Sequence, residues 1–448
     1  MIGLQVALVL LRELLRTLLT PLRLLGYLPF RNHWRAVARE CIATAAEQRP
    51  EDPQQALAAF FEKQKPRRGE RPHLFLSAGE ASGEAHAARL LQALPRNVRC
   101  SAFGGHLLAD AGATVRVSLS DHAVMGVLGV LKQLPLILRA FADFLRLLRD
   151  DPPDLLVLVD YPGLHLVMAK AARRRGIPVL HYVAPQYWAW GPWRMRRYRR
   201  AVDATLTILP FETAFFRRFA IPAAYIGHPL LDDLDRNPPD PTAVAAVRAR
   251  PTLVLLPGSR SAEITTNLPG MLRIANALRE QEPDLRVVLP HKNPRRTTML
   301  RSALASANAT FVEHHEGPLA PWLAGARLVL AKSGTGSLEA CLHGNPTIVV
   351  YQLRGMLSSL GYHNILSVPW IAAANLIAGR QVVPEFCFAR ERGWDRVQQA
   401  AIELWRDGPE RTAASAGLAE VKKRLGAAGA TARVAAIVKD FLCPEVRP

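Results

Sequence analysis

Twice in the second half of the chain, a fully apolar run stops in a few small residues and gives way to a helix-forming pattern. One instance is Leu253-Val-Leu-Leu-Pro-Gly-Ser-Arg260; the other is Leu328-Val-Leu-Ala-Lys-Ser-Gly-Thr-Gly-Ser-Leu-Glu339. An uninterrupted apolar run of this length suits a strand buried on both faces, as in a parallel sheet covered by helices. The first half opens on the same unit, Pro72-His-Leu-Phe-Leu-Ser-Ala-Gly-Glu-Ala-Ser-Gly-Glu-Ala-His86. Strand-like runs follow at Leu155–Val159, Pro178–Val183, Ala204–Ile208 and Ala224–Ile226, separated by helical stretches such as Leu164–Arg175. After Asp235-Arg-Asn-Pro-Pro-Asp-Pro241 the alternation restarts, at Thr252–Leu256, Leu285–Leu289, Thr310–Val312, Leu328–Ala331 and Thr347–Val350. The pattern predicts an α/β chain of two Rossmann-like domains, 72–237 and 242–390, with the cleft between them as the active site. Residues 1–71 read as a helical extension and linker, and 391–448 as C-terminal helices.

The length of 448 residues suits two such domains. The chain carries 57 Lys+Arg against 38 Asp+Glu, a formal charge of +19. That excess suits phosphate-bearing substrates or an anionic membrane surface, and equally a solvated basic surface without a partner. No RNP, zinc-finger or helix-turn-helix signature accompanies it, so nucleic acid is not an expected partner. Cys41, Cys100, Cys341, Cys387 and Cys443 are scattered and never in CxxC spacing. This argues against a disulfide framework or structural zinc and fits a reducing cytoplasm. There is no DxD, HExxH or His/Cys cluster, and neither a metal nor a cofactor is expected.

Met1 to Leu11 is apolar apart from Gln5, too short to span a bilayer, and lacks the basic start and cleavage site of a secretory signal. On a helical wheel Arg12, Glu13, Arg16, Thr17 and Thr20 share an arc of roughly 140°, opposite Leu8, Leu11, Leu14, Leu15, Leu18 and Leu19. Pro21 ends or kinks this helix. It is either an anchor lying in the membrane interface or a helix packed on the body; the basic charge favours the anchor. Residues 48–71, rich in charge and proline, read as a linker.

The two turns of the second domain each end a strand at a helix N-terminus, where unpaired N–H groups and partial positive charge attract anions. Two of them suggest a nucleotide diphosphate, with Arg260, next to Ser259, supplying a bidentate cation. Ser333, Gly334, Thr335 and Ser337 offer hydroxyls and amides to a diphosphate. Glu339 suits a ribose diol, and Asn375 and Glu385 close the nucleotide side. In the first domain, Gly79-Glu-Ala-Ser-Gly-Glu84 lacks GxGxxG spacing, which argues against NAD. It places Glu80, Ser82 and His86 at a strand's carboxyl end, where ligands collect. Asp160 ends the apolar strand Leu155–Val159. Partly desolvated there, it can accept a hydroxyl proton; the alternative is a turn or capping aspartate. The loop His181-Tyr-Val-Ala-Pro-Gln-Tyr-Trp-Ala-Trp190 makes Tyr187 and Trp188 candidates for the acceptor side, or else core plugs. Trp193-Arg-Met-Arg-Arg-Tyr-Arg-Arg200 holds a phosphate or is a solvated helix face.

Taken together these residues resemble the lipid-A-disaccharide synthase family, inverting glycosyltransferases of the GT-B fold. The matching pieces run in order from about Leu74 to Glu385: Gly79-Glu-Ala-Ser-Gly83, Val124-Met-Gly126, His181-Tyr-Val183 with Pro185 and Trp188-Ala-Trp190, Leu209-Pro-Phe-Glu212, Gly227-His-Pro229, Leu255-Leu-Pro-Gly-Ser-Arg260 with Glu263, and Ser333-Gly-Thr335 with Leu338-Glu339. The resemblance implies condensation of UDP-2,3-diacylglucosamine with 2,3-diacylglucosamine 1-phosphate (lipid X) into a β-1,6-linked disaccharide, with release of UDP. It implies that Asp160 is the acid/base residue, that Arg260 lies near the UDP diphosphate, and that Glu263 belongs to the same site. It also implies a membrane-touching surface at Met125 to Leu138, on a peripheral protein at the cytoplasmic face of a Gram-negative-type inner membrane. The chain departs from the family pattern at Gly163 and Gly129, where the family has Asp and Glu, at Glu84, where it has Asp, and at Ala373-Ala374-Asn375, where it has Leu-Pro-Asn. Two other readings stand beside this one: a UDP-sugar transferase acting on another membrane lipid, and a catalytically silent membrane-bound lipid- or nucleotide-binding protein. Nothing in the sequence speaks to oligomeric state.

Overall fold

The computed structural model describes residues 2–47, 51–64, 71–120, 127–355, 361–362 and 364–443; the Val124–Gly126 motif lies outside them. The chain forms two compact units, Met1–Asp232 with Ala427–Pro448, and Asp233–Gly426.

Unit 1 is built on seven strands: β1 (His73–Ala78), β2 (Arg99–Gly104), β3 (Thr114–Ser118), β4 (Leu155–Val159), β5 (Val179–Tyr182), β6 (Ala204–Thr207) and β7 (Ala223–Tyr225). All pairings are parallel, in the order β3-β2-β1-β4-β5-β6-β7. The order reverses between β1 and β4, where Ala78 pairs with Val159. Connections leave those two strands in opposite directions, and a ligand crevice opens beyond their carboxyl ends. β1 and β4 are buried along their whole length, as their apolar runs demand. Strands β2 and β3 escape the apolar-run criterion. β3 is the edge strand and exposes Thr114 and Arg116, while β2 is interrupted by Ser101, which is buried and hydrogen-bonded to His73 at 2.9 Å.

The segment read as a linker instead helps build the core. Asp52 caps a short helix, Pro53–Ala56, and the next helix, Ala58–Lys63, buries Phe60 against Phe441 with ring centroids 5.3 Å apart. Leu57 and Phe60 are almost wholly buried. Each such side chain contributes about 1.5–3 kcal/mol, sufficient to pin a charged segment to the body. The partner, Phe441, belongs to the helix Ala430–Leu442. The Asp232 carboxylate holds the start of that helix by accepting from the amides of Gly429, Ala430 and Thr431. The helices of 391–448 are thus divided: Gly393–Trp405 and Pro409–Leu425 lie in unit 2, and Ala430–Leu442 returns to unit 1.

The N-terminal helix spans Ile2–Leu18, breaks at Leu19 and continues as Thr20–Tyr27 with Pro21 in its first turn. Its polar arc faces the body: Glu13 accepts from Arg16 at 2.6 Å and from Arg197 at 2.9 Å. Its leucines face out, with Leu4, Leu8, Leu11, Leu15, Leu18, Leu22 and Leu25 all exposed at alternating spacings of four and three. Among the described residues no helix is long and apolar enough to cross a membrane.

Unit 2 repeats the design with β8 (Thr252–Leu256), β9 (Arg286–His291), β10 (Val312–Glu316), β11 (Leu328–Lys332), β12 (Thr347–Gln352) and β13 (Glu385–Phe388). The parallel order is β10-β9-β8-β11-β12-β13, with the reversal between β8 and β11. The strand expected at Thr310–Val312 begins at Val312 and runs through His314 and His315; as an edge strand it tolerates that polarity. Leu253, Leu255, Leu328, Leu330, Ile348 and Val350 form the core that Trp394 covers.

Candidate active site

In unit 1 the crevice at the β1/β4 reversal is lined by the turns the sequence singles out. Asp160 and Tyr161, directly after β4, both sit in the left-handed region, at φ +52° and +48°. Val183, directly after the neighbouring β5, has φ +56°, which is rare for a β-branched residue. Strain of this kind costs about 1–3 kcal/mol per residue and persists only where the surroundings over-determine it. Here they do. The Asp160 carbonyl accepts from His165 Nδ1 at 2.7 Å and from His181 Nε2 at 3.0 Å. With Nδ1 donating, His165 Nε2 accepts from the Ser77 hydroxyl at 2.8 Å. Burial pushes these imidazoles down to about 3 and about 4, so both are neutral. The Tyr161 ring lies over Gly79, where an added Cβ would come within 2.3 Å of it.

This clamp leaves the Asp160 carboxyl in a partly buried position. Burial first, and the nearby Glu80 charge second, hold its pKa above the usual carboxylate value. Ser82 is exposed at the start of the helix Ala81–Gln92, and His86 is half-buried one turn on, 6.1 Å from the Tyr182 ring. Glu84 has a structural job: it accepts from the amides of Gly105 and Leu108 and from the Ser120 hydroxyl. Gly163 is exposed, with open space where a side chain would project.

Tyr187 and Trp188 are corrected by the structure: both are interior. Trp188 packs edge-on against Phe211 and donates its indole N–H to Glu212 at 3.0 Å; Tyr187 packs against Tyr198. A buried indole or phenol needs a polar partner, and the core supplies Glu212 for the indole. The exposed aromatic of the loop is Trp190.

In unit 2 the two flagged turns face each other across the β8/β11 reversal. Gly258, at φ +124°, lets the chain turn where a Cβ would strike Glu263 at 2.6 Å. Glu263 reaches back to accept from the amides of Ser259 and Arg260, and also from the Arg260 guanidinium at 3.0 Å and Lys332 Nζ at 2.9 Å. Burial alone would raise its pKa; the hydrogen bond and charge of Lys332, with Arg260, outweigh this and lower it. Glu263 therefore shapes the loop, and Ser259 and Arg260 are left exposed. Ser337 likewise turns inward, accepting from the Gly334 amide and donating to its carbonyl, and Ser333 donates to the Ile371 carbonyl. Thr335 and Gly334 stay exposed at the start of the helix Thr335–Leu342. Glu339 accepts from Lys292 at 3.1 Å.

Asn375 is also corrected. It is fully buried; its amide donates to the Val383 carbonyl and to Glu385, and its oxygen accepts from the amides of Val382 and Val383. All its hydrogen-bonding capacity is spent, so it supports Glu385, which in turn accepts from the amides of Ile371 and Ala372. Sequence reasoning missed Lys332 and Lys292, which end β11 and follow β9, and missed His165. The lysines carried a usable signal: each lies at the carboxyl end of a strand in a domain expected to bind phosphate.

The sequence model of the family described as lipid-A-disaccharide synthetase matches residues 74–432. The lipid-A-disaccharide synthase of Geobacter sulfurreducens is 34% identical over 400 residues, covering 83% of this chain and 98% of the relative. That of Myxococcus xanthus is 36% identical over 386 residues, again covering 83% and 98%. Among solved structures, the UDP-GlcNAc 2-epimerase from Neisseria meningitidis bound to UDP-GlcNAc aligns with a TM-score of 0.55 at 15% identity, covering 83% of this chain and 99% of that one. At that identity the likeness concerns the fold alone, two doubly wound parallel sheets of GT-B type. The family match takes in both crevices and leaves only the N-terminal extension and the chain's last residues outside, and on it this chain belongs to the lipid-A-disaccharide synthase family.

Proposed function

We propose that the chain condenses UDP-2,3-diacylglucosamine with lipid X, forming the β-1,6-linked lipid A disaccharide 1-phosphate and releasing UDP, and that Asp160 is the base. The observation that carries this role is the clamp on Asp160: two neutral imidazoles fix its carbonyl, and the backbone there is held strained. Its raised pKa brings a carboxylate closer to the working pH, which suits a general base. Asp160 takes the proton of the acceptor hydroxyl as that oxygen attacks the anomeric carbon from the face opposite UDP, so the centre inverts. On unit 2, Arg260, Lys332 and the helix start at Thr335 receive the charge that builds on the departing diphosphate. Glu339 and Lys292 flank the nucleoside side. The acyl chains of both substrates favour a peripheral enzyme at the inner-membrane surface, and the outward leucines of the N-terminal helix supply an apolar face for it.

The test is UDP release and lipid product from the two named substrates in detergent, comparing the wild type with Asp160→Ala. Turnover in the wild type alone, with UDP binding retained by the variant, is the expected result. Equal turnover in both would remove Asp160 from the mechanism. Binding of the UDP-sugar without turnover in either would point to a different acceptor.

A further inference from the structure

At the amino-terminal edge of the unit 1 sheet, the opposite edge from Asp160, a cavity of about 640 Å³ opens between the chain leading into β6 and β7, the end of the helix Pro162–Arg173 and the helix Ala58–Lys63. Lys63, Lys170, Arg173, Arg174, Arg199 and Arg200 line it, with Asp203 as the one lining carboxylate. Asp203 is already engaged. It pairs with Arg173 at 3.0 Å and accepts from Gln64 and the Val179 amide. The side chains of Lys63, Lys170, Arg174, Arg199 and Arg200 make no hydrogen bond or ion pair among the described residues. Burial, and then the charges of Arg12, Arg16, Arg174 and Arg197, lower the pKa of Lys170; Glu13 pairs with Arg12, Arg16 and Arg197, and among the described residues no carboxylate pairs with Lys170 itself. Crowding cations without a counter-ion is unfavourable, and a bound anion relieves it.

The volume falls in the range of small-ligand sites, roughly 300–1,000 Å³, and exceeds what a lone phosphate fills. Five cations without a bonded carboxylate among the described residues, with Asp203 acting on Lys63 only at a distance, ask for more than one negative charge. We propose that this cavity binds an anion bearing two or more phosphate charges, at a site separate from the sugar-nucleotide chemistry. Such an anion comes either as a soluble diphosphate or as a lipid headgroup. The outward leucines of the N-terminal helix, whose Arg12 and Arg16 adjoin Lys170, make the second source accessible.

The experiment uses the full chain with saturating UDP, so that the nucleotide site is already filled. Two probes are titrated: inorganic pyrophosphate by calorimetry, and phosphatidylcholine vesicles with or without cardiolipin by co-sedimentation. The wild type is compared with the quadruple variant Lys170→Gln, Arg174→Gln, Arg199→Gln, Arg200→Gln. A control variant carries Arg390→Gln, Arg392→Gln, Lys422→Gln and Lys423→Gln, exposed positions on unit 2. Each cation near a phosphate surface is worth about 1 kcal/mol, or about fivefold in affinity, so the quadruple variant should bind roughly 10²–10³-fold more weakly while the control stays near wild type. A loss confined to pyrophosphate identifies a soluble ligand; a loss confined to cardiolipin identifies a headgroup. If the quadruple and control variants weaken binding equally, or neither does, the cavity is not a site. Should the quadruple variant melt early, Arg199→Gln with Arg200→Gln, both exposed, still predicts a drop of about 25-fold.

Discussion

Gly79→Ala tests whether the geometry around Asp160 is as tightly coupled as the clamp implies. The new Cβ would stand 2.3, 2.4 and 2.5 Å from three atoms of the Tyr161 ring. Restoring an ordinary contact of about 3.5 Å requires a movement of about 1.2 Å. The nearest atom struck is Cγ, where the ring joins its stem, so a flip of the ring about its own axis does not clear the contact, and the backbone beneath it is held by two histidines on the preceding carbonyl. The displacement therefore passes to the Asp160–Tyr161 peptide. Overpacking of this kind costs about 1–3 kcal/mol of stability, and a misplacement of about 1 Å costs roughly 10²-fold in rate. The assay is kcat from UDP release, with UDP affinity measured alongside by calorimetry. Affinity should hold, since unit 2 is untouched. Adding Tyr161→Ala removes the collision and should bring back both stability and rate toward those of Tyr161→Ala alone. A Gly79→Ala variant with wild-type kcat and a lowered Tm would refute the coupling between ring and carboxylate.

The pH profile of kcat/KM should fall as pH drops through the raised pKa of Asp160, because the base must be deprotonated; Glu80→Gln, removing a charge that raises it, should move that limb to lower pH. In a thermal melt at neutral pH, Asp160→Asn should be no less stable than the wild type, since a raised folded pKa means the carboxylate form is the costly one. Lys332→Met should loosen the Arg260 loop, weaken UDP binding and destabilise unit 2 by about 1–3 kcal/mol. The pKa of Glu263 is depressed, so this stabilisation is present above its unfolded pKa and lost as pH falls through the folded value; at low pH the variant and wild type should converge. Trp188→Phe should lower stability by about 1–3 kcal/mol through the unpaired Glu212 and leave acceptor KM unchanged; a raised KM at unchanged stability would return Trp188 to the acceptor side. Leu8→Asn with Leu11→Asn and Leu15→Asn should leave the melt unchanged and weaken vesicle co-sedimentation, as expected of exposed leucines.

Alternation of buried runs and helical stretches was enough to set the fold class. It also located the turns beside each sheet's reversal, because a strand buried on both faces announces itself locally, and so does the small-residue turn that ends it. Leu253–Arg260 and Leu328–Glu339 could be read without knowing what packs on them. Which polar residue faces a ligand and which faces the chain was not readable, since that depends on partners distant in sequence. Glu263 is claimed by Lys332, Asn375 by the carbonyl of Val383, and Trp188 by Glu212. The same limit hid the packing of Phe60 on Phe441 and the clamp of His165 and His181 on one carbonyl. Sequence alone determined the buried central strands and the turns at their carboxyl ends, because those follow from local burial and backbone preference; strands β2, β3 and β13 needed the tertiary structure. Only the tertiary structure decided which hydrogen-bonding groups are spent inside the protein and which remain for a substrate, because that is settled by what the fold brings within about 3 Å.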